Sequence, residues 1–143
     1  MTSAKYKVDH AGCPIAFAAE TFGDKWTLLV LREVLLFGKK HFDELAKMRE
    51  GIATNILSSR LEQMIARGLL TKEGDPGNRR RFVYAPTEKA LDLLPACAEL
   101  ILWASKYDPA TAVSGEQIAA FRRNKKKAMR DLRSSFARDQ KRG

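Results

Sequence analysis

The sequence has little that would support metal binding, disulfide bonding or cofactor chemistry. Its 143 residues include only two cysteines, Cys13 and Cys97, and two histidines, His10 and His41. The cysteines are too few and too far apart for a disulfide scaffold, and the four residues do not have the close spacing of zinc ligands. We therefore expect reduced thiols, no metal and no cofactor.

Long apolar segments and catalytic constellations are also absent. No run of eighteen apolar residues occurs, and residues 1–10 lack the apolar stretch of a secretory signal. These absences predict a cytoplasmic protein. We find no nucleophile beside a base, no paired carboxylates and no phosphate-binding glycine loop. The sequence thus argues against an enzyme.

The net charge of +9 comes almost entirely from one end of the chain. Residues 122–143 hold ten Lys and Arg against two acids, whereas the residues before them hold 16 basic and 15 acidic side chains. A basic tail can bind any polyanion. The overall charge therefore says little about DNA binding by the rest of the chain, and local patterns must decide.

Apolar periodicity predicts four helices in the first half of the chain. A short helix over Ile15–Phe22 precedes an almost wholly apolar helix over Lys25–Leu36, which should be the central core helix. A small amphipathic helix over His41–Met48, the turn Arg49–Gly51 and a longer helix over Ile52–Arg67 follow. Two helices joined by a tight turn are typical of a helix-turn-helix.

A β-hairpin is predicted next. Two segments of β character, Leu69–Glu73 and Arg81–Ala85, flank strong turn formers at Gly74–Asn78. A very short strand is also expected at Lys39–His41. The hairpin would carry a basic tip, as expected of the wing of a winged helix-turn-helix.

Further helices are predicted after the hairpin. Thr87 should cap a helix rich in large apolar residues over Leu91–Trp103, in which Pro95 marks a kink or a restart. Ser114 and Gln117 fit a capping box at the start of a last, strongly basic helix with an interrupted apolar stripe.

The order of these elements predicts a mainly α fold with a small β-hairpin, a winged helix-turn-helix with N- and C-terminal dimerisation helices. We assign residues 1–12 to an N-terminal arm, 13–108 to the winged-helix domain and 109–143 to a basic helical extension. The longer helix of the pair would enter the major groove of double-stranded DNA.

Several polar side chains are candidates for DNA contact. Asn55 is the best candidate for a bidentate contact to adenine, although any solvated helix face carries Asn and Ser. The recognition-helix candidates are Thr54, Asn55, Ser58, Ser59 and Arg60. The wing candidates, which suit phosphates or the minor groove, are Asn78, Arg79, Arg80 and Arg81. Candidates for backbone contact are Lys25, Lys40 and His41.

Taken in order, several short stretches resemble the HxlR-type bacterial regulators, winged-helix proteins related to the MarR group. The matching stretches, across roughly residues 13–104, are Cys13-Pro14, 23–33, 42–45, Gly51-Ile52, Leu57, Arg60-Leu61, Gly68-Leu69 and 84–89. The resemblance implies a homodimer that binds a palindromic or direct-repeat operator on the bacterial nucleoid and represses or activates adjacent genes. Ala53 departs from the serine cap frequent in the family, and the basic tail beyond Ser114 is longer than usual.

The resemblance also makes Cys13 a candidate sensor, because several family members detect electrophiles or oxidants through a cysteine at this Cys-Pro position. That chemistry needs a thiolate, which the positive end of a helix stabilises. The alternative is that Cys13, like Cys97, is a small packing residue.

Apolar side chains late in the chain supply an independent argument for a homodimer. They exceed what one side of a small domain can cover, so a second copy should bury some of them. They are Leu93, Leu94, Leu100, Ile101, Leu102 and Trp103. A different class of function stays open, namely a non-selective RNA or DNA binder or a protein-interaction module that uses the winged helix and basic tail. The tail could also lie on an anionic membrane surface.

Overall fold

The structure, a computed structural model, describes residues 12–142, with side chains as far as residue 138. Residues 1–11 of the predicted N-terminal arm lie outside the described residues. The chain divides into two compact units with their boundary between Ala90 and Leu91. The boundary predicted from the sequence after residue 108 stays a prediction.

The first unit contains the four predicted helices. They are α1 (Pro14–Phe22), α2 (Lys25–Leu35), α3 (Phe42–Ala46) and α4 (Thr54–Ala66). The start of α4 falls two residues later than expected, because Gly51 has a φ of 72° and Ala53 is extended. A positive φ is strained for residues with a side chain, so glycine suits this turn.

Helix α2 is the centre of the core, as its apolar sequence predicted. It contacts α1, α4 and the strand Asn78–Pro86, and its residues Val30, Leu31, Val34 and Leu35 are at most 1% exposed. Buried leucines from α3 and α4 surround it, together with a methionine; they are Leu45, Leu57, Leu61 and Met64. Each such side chain contributes roughly 2 kcal/mol of transfer free energy.

The hairpin is longer than the sequence predicted. β1 (Leu70–Asp75) and β2 (Asn78–Pro86) are antiparallel, with a register shift between Gly74 and Asp75. The prediction that a turn spans Gly74–Asn78 and that the second strand begins at Arg81 is wrong. The three arginines lie in the irregular part of β2, between Asn78, which pairs with Asp75, and Phe82, which pairs with Gly74. This exposed stretch has no apolar alternation from which a strand could be predicted.

The predicted strand at Lys39–His41 is absent from the described residues. One backbone hydrogen bond, from Tyr84 N to Lys40 O at 2.8 Å, joins this extended segment to β2. A single bond of this kind does not make a strand, but it holds the segment before α3 against the hairpin.

Three longer helices complete the chain after α5 (Glu88–Leu91), at whose start Thr87 Oγ1 accepts a hydrogen bond from the Ala90 amide. They are α6 (Leu94–Tyr107), α7 (Gly115–Arg123) and α8 (Lys125–Arg142). Pro95 lies in the first turn of α6 and marks a restart. The predicted last helix is two helices, since Asn124 interrupts it.

The capping box predicted at Ser114 is present: its hydroxyl accepts from the Gln117 amide, and Gln117 Oε1 accepts from the Ser114 amide. The order of helices and hairpin in the first unit is that of a winged helix-turn-helix, so the predicted mainly α fold with a small β-hairpin is confirmed. That the N- and C-terminal helices mediate dimerisation stays a prediction. Within residues 12–142, the helices lack the length and apolarity that crossing a bilayer requires.

Candidate nucleic-acid interface

Helix α4 presents a short polar stripe to solvent on the side opposite its buried residues. Thr54, Asn55 and Ser58 are exposed. They form one stripe because residues three or four apart share one face of a helix. Ser59 is half-buried, and its hydroxyl accepts a hydrogen bond from Gln63 at 3.4 Å. Three of the predicted groove-contact residues are therefore freely accessible.

The first turn of α4 has no side-chain cap. Ala53 occupies the N-cap position and cannot accept a hydrogen bond from the amides that follow. These amides, with the positive end of the helix dipole, suit a negatively charged group such as a DNA phosphate. With alanine at the N-cap, the amides of this helix end have no side-chain partner among the described residues.

Arg60, the fifth residue predicted on the recognition helix, is held by α2. Its Nε donates to Asp24 Oδ2 at 2.8 Å, and the same oxygen caps α2 by accepting from the Thr27 amide at 3.0 Å. The Arg60 guanidinium lowers the pKa of the Asp24 carboxyl. Arg60 therefore orients α4 against α2, whereas its contact with DNA stays a prediction.

A second ion pair connects α2 to the turn before α4. Arg32 donates to both carboxylate oxygens of Glu50, at 2.8 and 2.7 Å, and this guanidinium lowers the pKa of Glu50 to about 2. Arg32 and Lys39 also pair with Glu33, which is 2% exposed. The two ends of α2 thus fix the recognition helix through polar contacts.

The three wing arginines differ in their surroundings. Arg79 and Arg80 are exposed, and no carboxylate partner is found for either among residues whose side chains are described. Arg81 donates to Asp43 of α3 at 2.8 Å and lowers the pKa of that carboxyl. Asn78 Oδ1 accepts from the Arg80 amide at 3.0 Å, which shapes the turn. Two of the three guanidiniums are therefore available for phosphates.

The His41 side chain is buried and not exposed to solvent. Its Nδ1 lies 2.5 Å from Glu44 Oε1, and its Nε2 lies 3.1 Å from Asp75 Oδ2 at the end of β1. The Gly77 amide and the His41 ring lower the pKa of Asp75. Both ring nitrogens of His41 therefore have carboxylate partners, and its contact with the DNA backbone stays a prediction.

The remaining predicted backbone contacts are exposed. Lys40 precedes α3, and Lys25 begins α2 with its ammonium 4.7 Å from the centre of the Trp26 ring. Both can reach a phosphate without breaking an ion pair among the described residues.

The sequence interpretation missed the residues that support this surface. All of them form ion pairs. They are Asp24, Arg32, Asp43, Glu50 and Asp75. Asp24 follows Gly23 before an apolar helix, so its capping role had a local signal. The other partners are 18 to 38 residues apart in sequence and leave no local pattern.

The two cysteines occupy different environments. Cys13 is exposed and lies just before α1, where its side chain makes no capping hydrogen bond. Cys97 on α6 is buried, and burial raises the pKa of its thiol. Cys13 is thus the accessible thiol of the two.

Apolar side chains are exposed in both units. In the first unit Ile15 is 79% exposed and Phe17 is 49% exposed; on α6 Trp103 is 66% exposed, and Leu100 and Tyr107 are also exposed. Of the other residues predicted to support dimerisation, Leu94 is buried, whereas the half-buried ones are Leu93, Ile101 and Leu102.

Comparison with known proteins places this architecture among helix-turn-helix regulators. Residues 21–112 match the HxlR-like helix-turn-helix family. An HTH-type transcriptional regulator of Mycobacterium tuberculosis is 37% identical over 98 residues, which are 68% of this chain and 61% of that protein. The chain therefore spans less than two thirds of that relative's length.

Two further likenesses agree. An HTH-type transcriptional regulator of Methanothermobacter thermautotrophicus is 30% identical over 105 residues, 73% of this chain and 79% of that protein. The solved structure of the reduced transcriptional regulator YodB from B. subtilis is 25% identical with a TM-score of 0.57, covering 69% of this chain and 97% of that one.

Proposed function

The chain belongs to the family of HxlR-like helix-turn-helix proteins, and we propose that it is a transcriptional regulator that binds operator DNA as a homodimer. The observation that carries this proposal is one surface of the first unit. An exposed polar stripe on α4 occurs there together with two arginines, Arg79 and Arg80, that have no carboxylate partner among the described side chains.

The two parts of this surface would act differently. Asn55, with Thr54 and Ser58, would contact base edges in the major groove, where an amide can pair with adenine through two hydrogen bonds. Arg79 and Arg80 would contact phosphates or the minor groove and so contribute affinity for any sequence. Selectivity would then come from α4, and much of the binding energy from the wing.

The homodimer is supported by exposed apolar side chains such as Ile15 on α1 and Trp103 on α6. On α6 the exposed rings of Trp103 and Tyr107 have their centroids 5.6 Å apart, and contiguous exposed apolar surface marks interaction sites. Two-fold symmetry would place two recognition helices over half-sites about one helical turn apart.

Selection of genomic DNA fragments by the purified protein tests the proposal. We expect a recurring motif with two half-sites, and light scattering at micromolar concentration should give the mass of a dimer. N55A should change the selected motif, whereas Ser134→Ala, which truncates an exposed polar residue of α8, should not. Recovery of fragments without any shared motif would instead favour the non-selective polyanion binder.

The wing is tested by removing two charges. R79Q/R80Q should weaken binding to all duplexes and lower the slope of log affinity against log salt by about 2, because each phosphate contact contributes roughly 0.9. K106Q/R122Q removes the same charge from the second unit and serves as the control. Equal losses in both variants would overturn the assignment of the wing.

A redox response through Cys13 is a second element of the proposal. The exposed thiol and the likeness to YodB, whose structures include a reduced and a diamide-treated form, support it. Diamide should change the operator affinity of the wild-type chain but not the operator affinity of C13S. A C13S protein that still responds to diamide would rule out this role.

A further inference from the structure

The lysines and arginines of α8 fall into two groups, one on the half-buried side of the helix and one on its exposed side. On the side of α8 that is half-buried, Lys125 pairs with Glu99 of α6, and Arg133 pairs with Asp92 at 3.0 Å. The same side of α8 carries half-buried apolar side chains, which are Ala128, Met129, Leu132 and Phe136. This inner face therefore belongs to the packing of the second unit.

The outer face carries the other four described cations of α8, Lys126, Lys127, Arg130 and Arg138, and all of them are exposed. Lys127 lies 3.9 Å from Asp131, the limit of an ion pair. No carboxylate partner is found for the other three among residues 12–138. The positive charge of this face is thus largely uncompensated.

The helix arranges these cations in a row. At 1.5 Å of rise per residue, Lys126 and Arg138 are about 18 Å apart along the axis. Duplex DNA carries one phosphate per ~1.7 Å of its axis, so an equal length of duplex offers about ten. Lys126 and Arg130 are also like charges four residues apart, which repel each other and do not stabilise a helix.

We propose that the outer face of α8 binds the phosphate backbone of duplex DNA without reading its sequence. This rests on the proposed function and adds a second, non-selective contact to the selective one on α4. The contact would raise affinity for operator and for unrelated duplex by the same factor.

The composition of the face favours duplex DNA over the other polyanionic surfaces. A helix that lies on a membrane inserts an apolar face, but the large apolar residues of α8 are on its half-buried side. Binding of single strands depends on stacking of bases on aromatic rings, and the outer face has none. Its remaining members are Asp131, Ser134 and Ala137.

The test measures binding of full-length K126Q/R130Q to the selected operator and to a scrambled duplex at 50–200 mM salt. For both duplexes the slope of log affinity against log salt should fall by about 2. The affinity lost between 50 and 200 mM salt should therefore be roughly tenfold smaller than in the wild type. The ratio of operator to scrambled affinity should stay unchanged.

Two variants with the same net charge serve as controls. K125Q/R133Q removes the inner cations of the same helix, and K106Q/R122Q removes two cations of α6 and α7. Both should retain the wild-type salt slope. Circular dichroism checks each fold, and K106Q/R122Q remains a control if loss of the inner ion pairs unfolds α8.

Several results would overturn the proposal. A wild-type slope in K126Q/R130Q would exclude the outer face as a contact, and equal losses in all variants would reduce the effect to net charge. Binding to phosphatidylserine vesicles that K126Q/R130Q abolishes, with duplex binding unchanged, would assign the face to a membrane. If the wild type binds operator and scrambled duplex equally well, the proposed function is wrong. The salt slope of K126Q/R130Q on scrambled duplex, compared with that of the wild type, still tests the role of the outer face.

Discussion

Arg60 and Asp24 connect the recognition helix to the core helix through an oxygen that has two roles. Asp24 Oδ2 accepts from Arg60 Nε at 2.8 Å while it caps α2 through the Thr27 amide. A change at Asp24 therefore affects both the start of α2 and the orientation of α4.

Substitution of Asp24 separates these roles. D24N retains an oxygen that can cap the helix, so it should lower the free energy of unfolding by well under 1 kcal/mol for a partly exposed ion pair. D24A removes the cap as well and should cost about 1–2 kcal/mol. Urea denaturation measures both values, and equal stability of the two variants would contradict the capping role.

The Arg32–Glu50 ion pair makes the free energy of unfolding depend on pH in the acid range. The pKa of Glu50 is lowered from 4.5 to about 2 by Arg32, so the folded chain binds this proton less readily than the unfolded chain. The stabilisation is fully present above about pH 4.5 and is lost as the pH falls towards 2.

R32Q removes this dependence. Urea midpoints between pH 5.5 and 2.5 should fall less steeply in R32Q than in the wild type, because its Glu50 titrates near the ordinary value. R49Q changes a neighbouring exposed arginine and should follow the wild type more closely. Parallel curves for R32Q and the wild type would show that the pair contributes nothing measurable.

His41 should control the mobility of the wing. H41A leaves Glu44 and Asp75 without their buried partner, and the loss of such a contact costs about 1–3 kcal/mol. Hydrogen exchange of the backbone amides over residues 70–86 should therefore be faster in H41A. K40Q, at the exposed neighbouring position, should exchange at the wild-type rate, and protection that persists in H41A would rule out this anchor.

The two thiols should react at different rates. With a disulfide reagent such as DTNB, exposed Cys13 should react in a fast phase, and buried Cys97, whose pKa burial raises, should react only as the chain opens. C13S should abolish the fast phase, and C97S should retain it. A fast phase that survives in C13S would place the accessible thiol at Cys97.

Local patterns predicted the helices because each one buries an apolar stripe whose period can be counted along the chain. The same logic failed at the wing, where β2 begins at Asn78 and its exposed arginines precede the regular pairing that starts at Phe82. Local patterns also could not predict the burial of His41, since nothing nearby indicates that Asp75, 34 residues away, contacts its ring.

The exposure of the residues proposed to contact DNA was partly predictable for the same reason. Asn55 and Ser58 lie opposite the buried stripe of α4, so a helical wheel assigns them to solvent. That Arg60 and Arg81 are held by Asp24 and Asp43 depends on contacts 36 and 38 residues apart in sequence. Such contacts follow only from the folded arrangement of the helices.

The two faces of α4 differ in burial, and this difference has an evolutionary consequence. Thr54, Asn55 and Ser58 are exposed, whereas Leu57, Leu61 and Met64 hold the helix in the core. Substitutions on the exposed face can accumulate after gene duplication without loss of folding. If this face contacts DNA as proposed, such substitutions would change the target genes while the interior stayed constant.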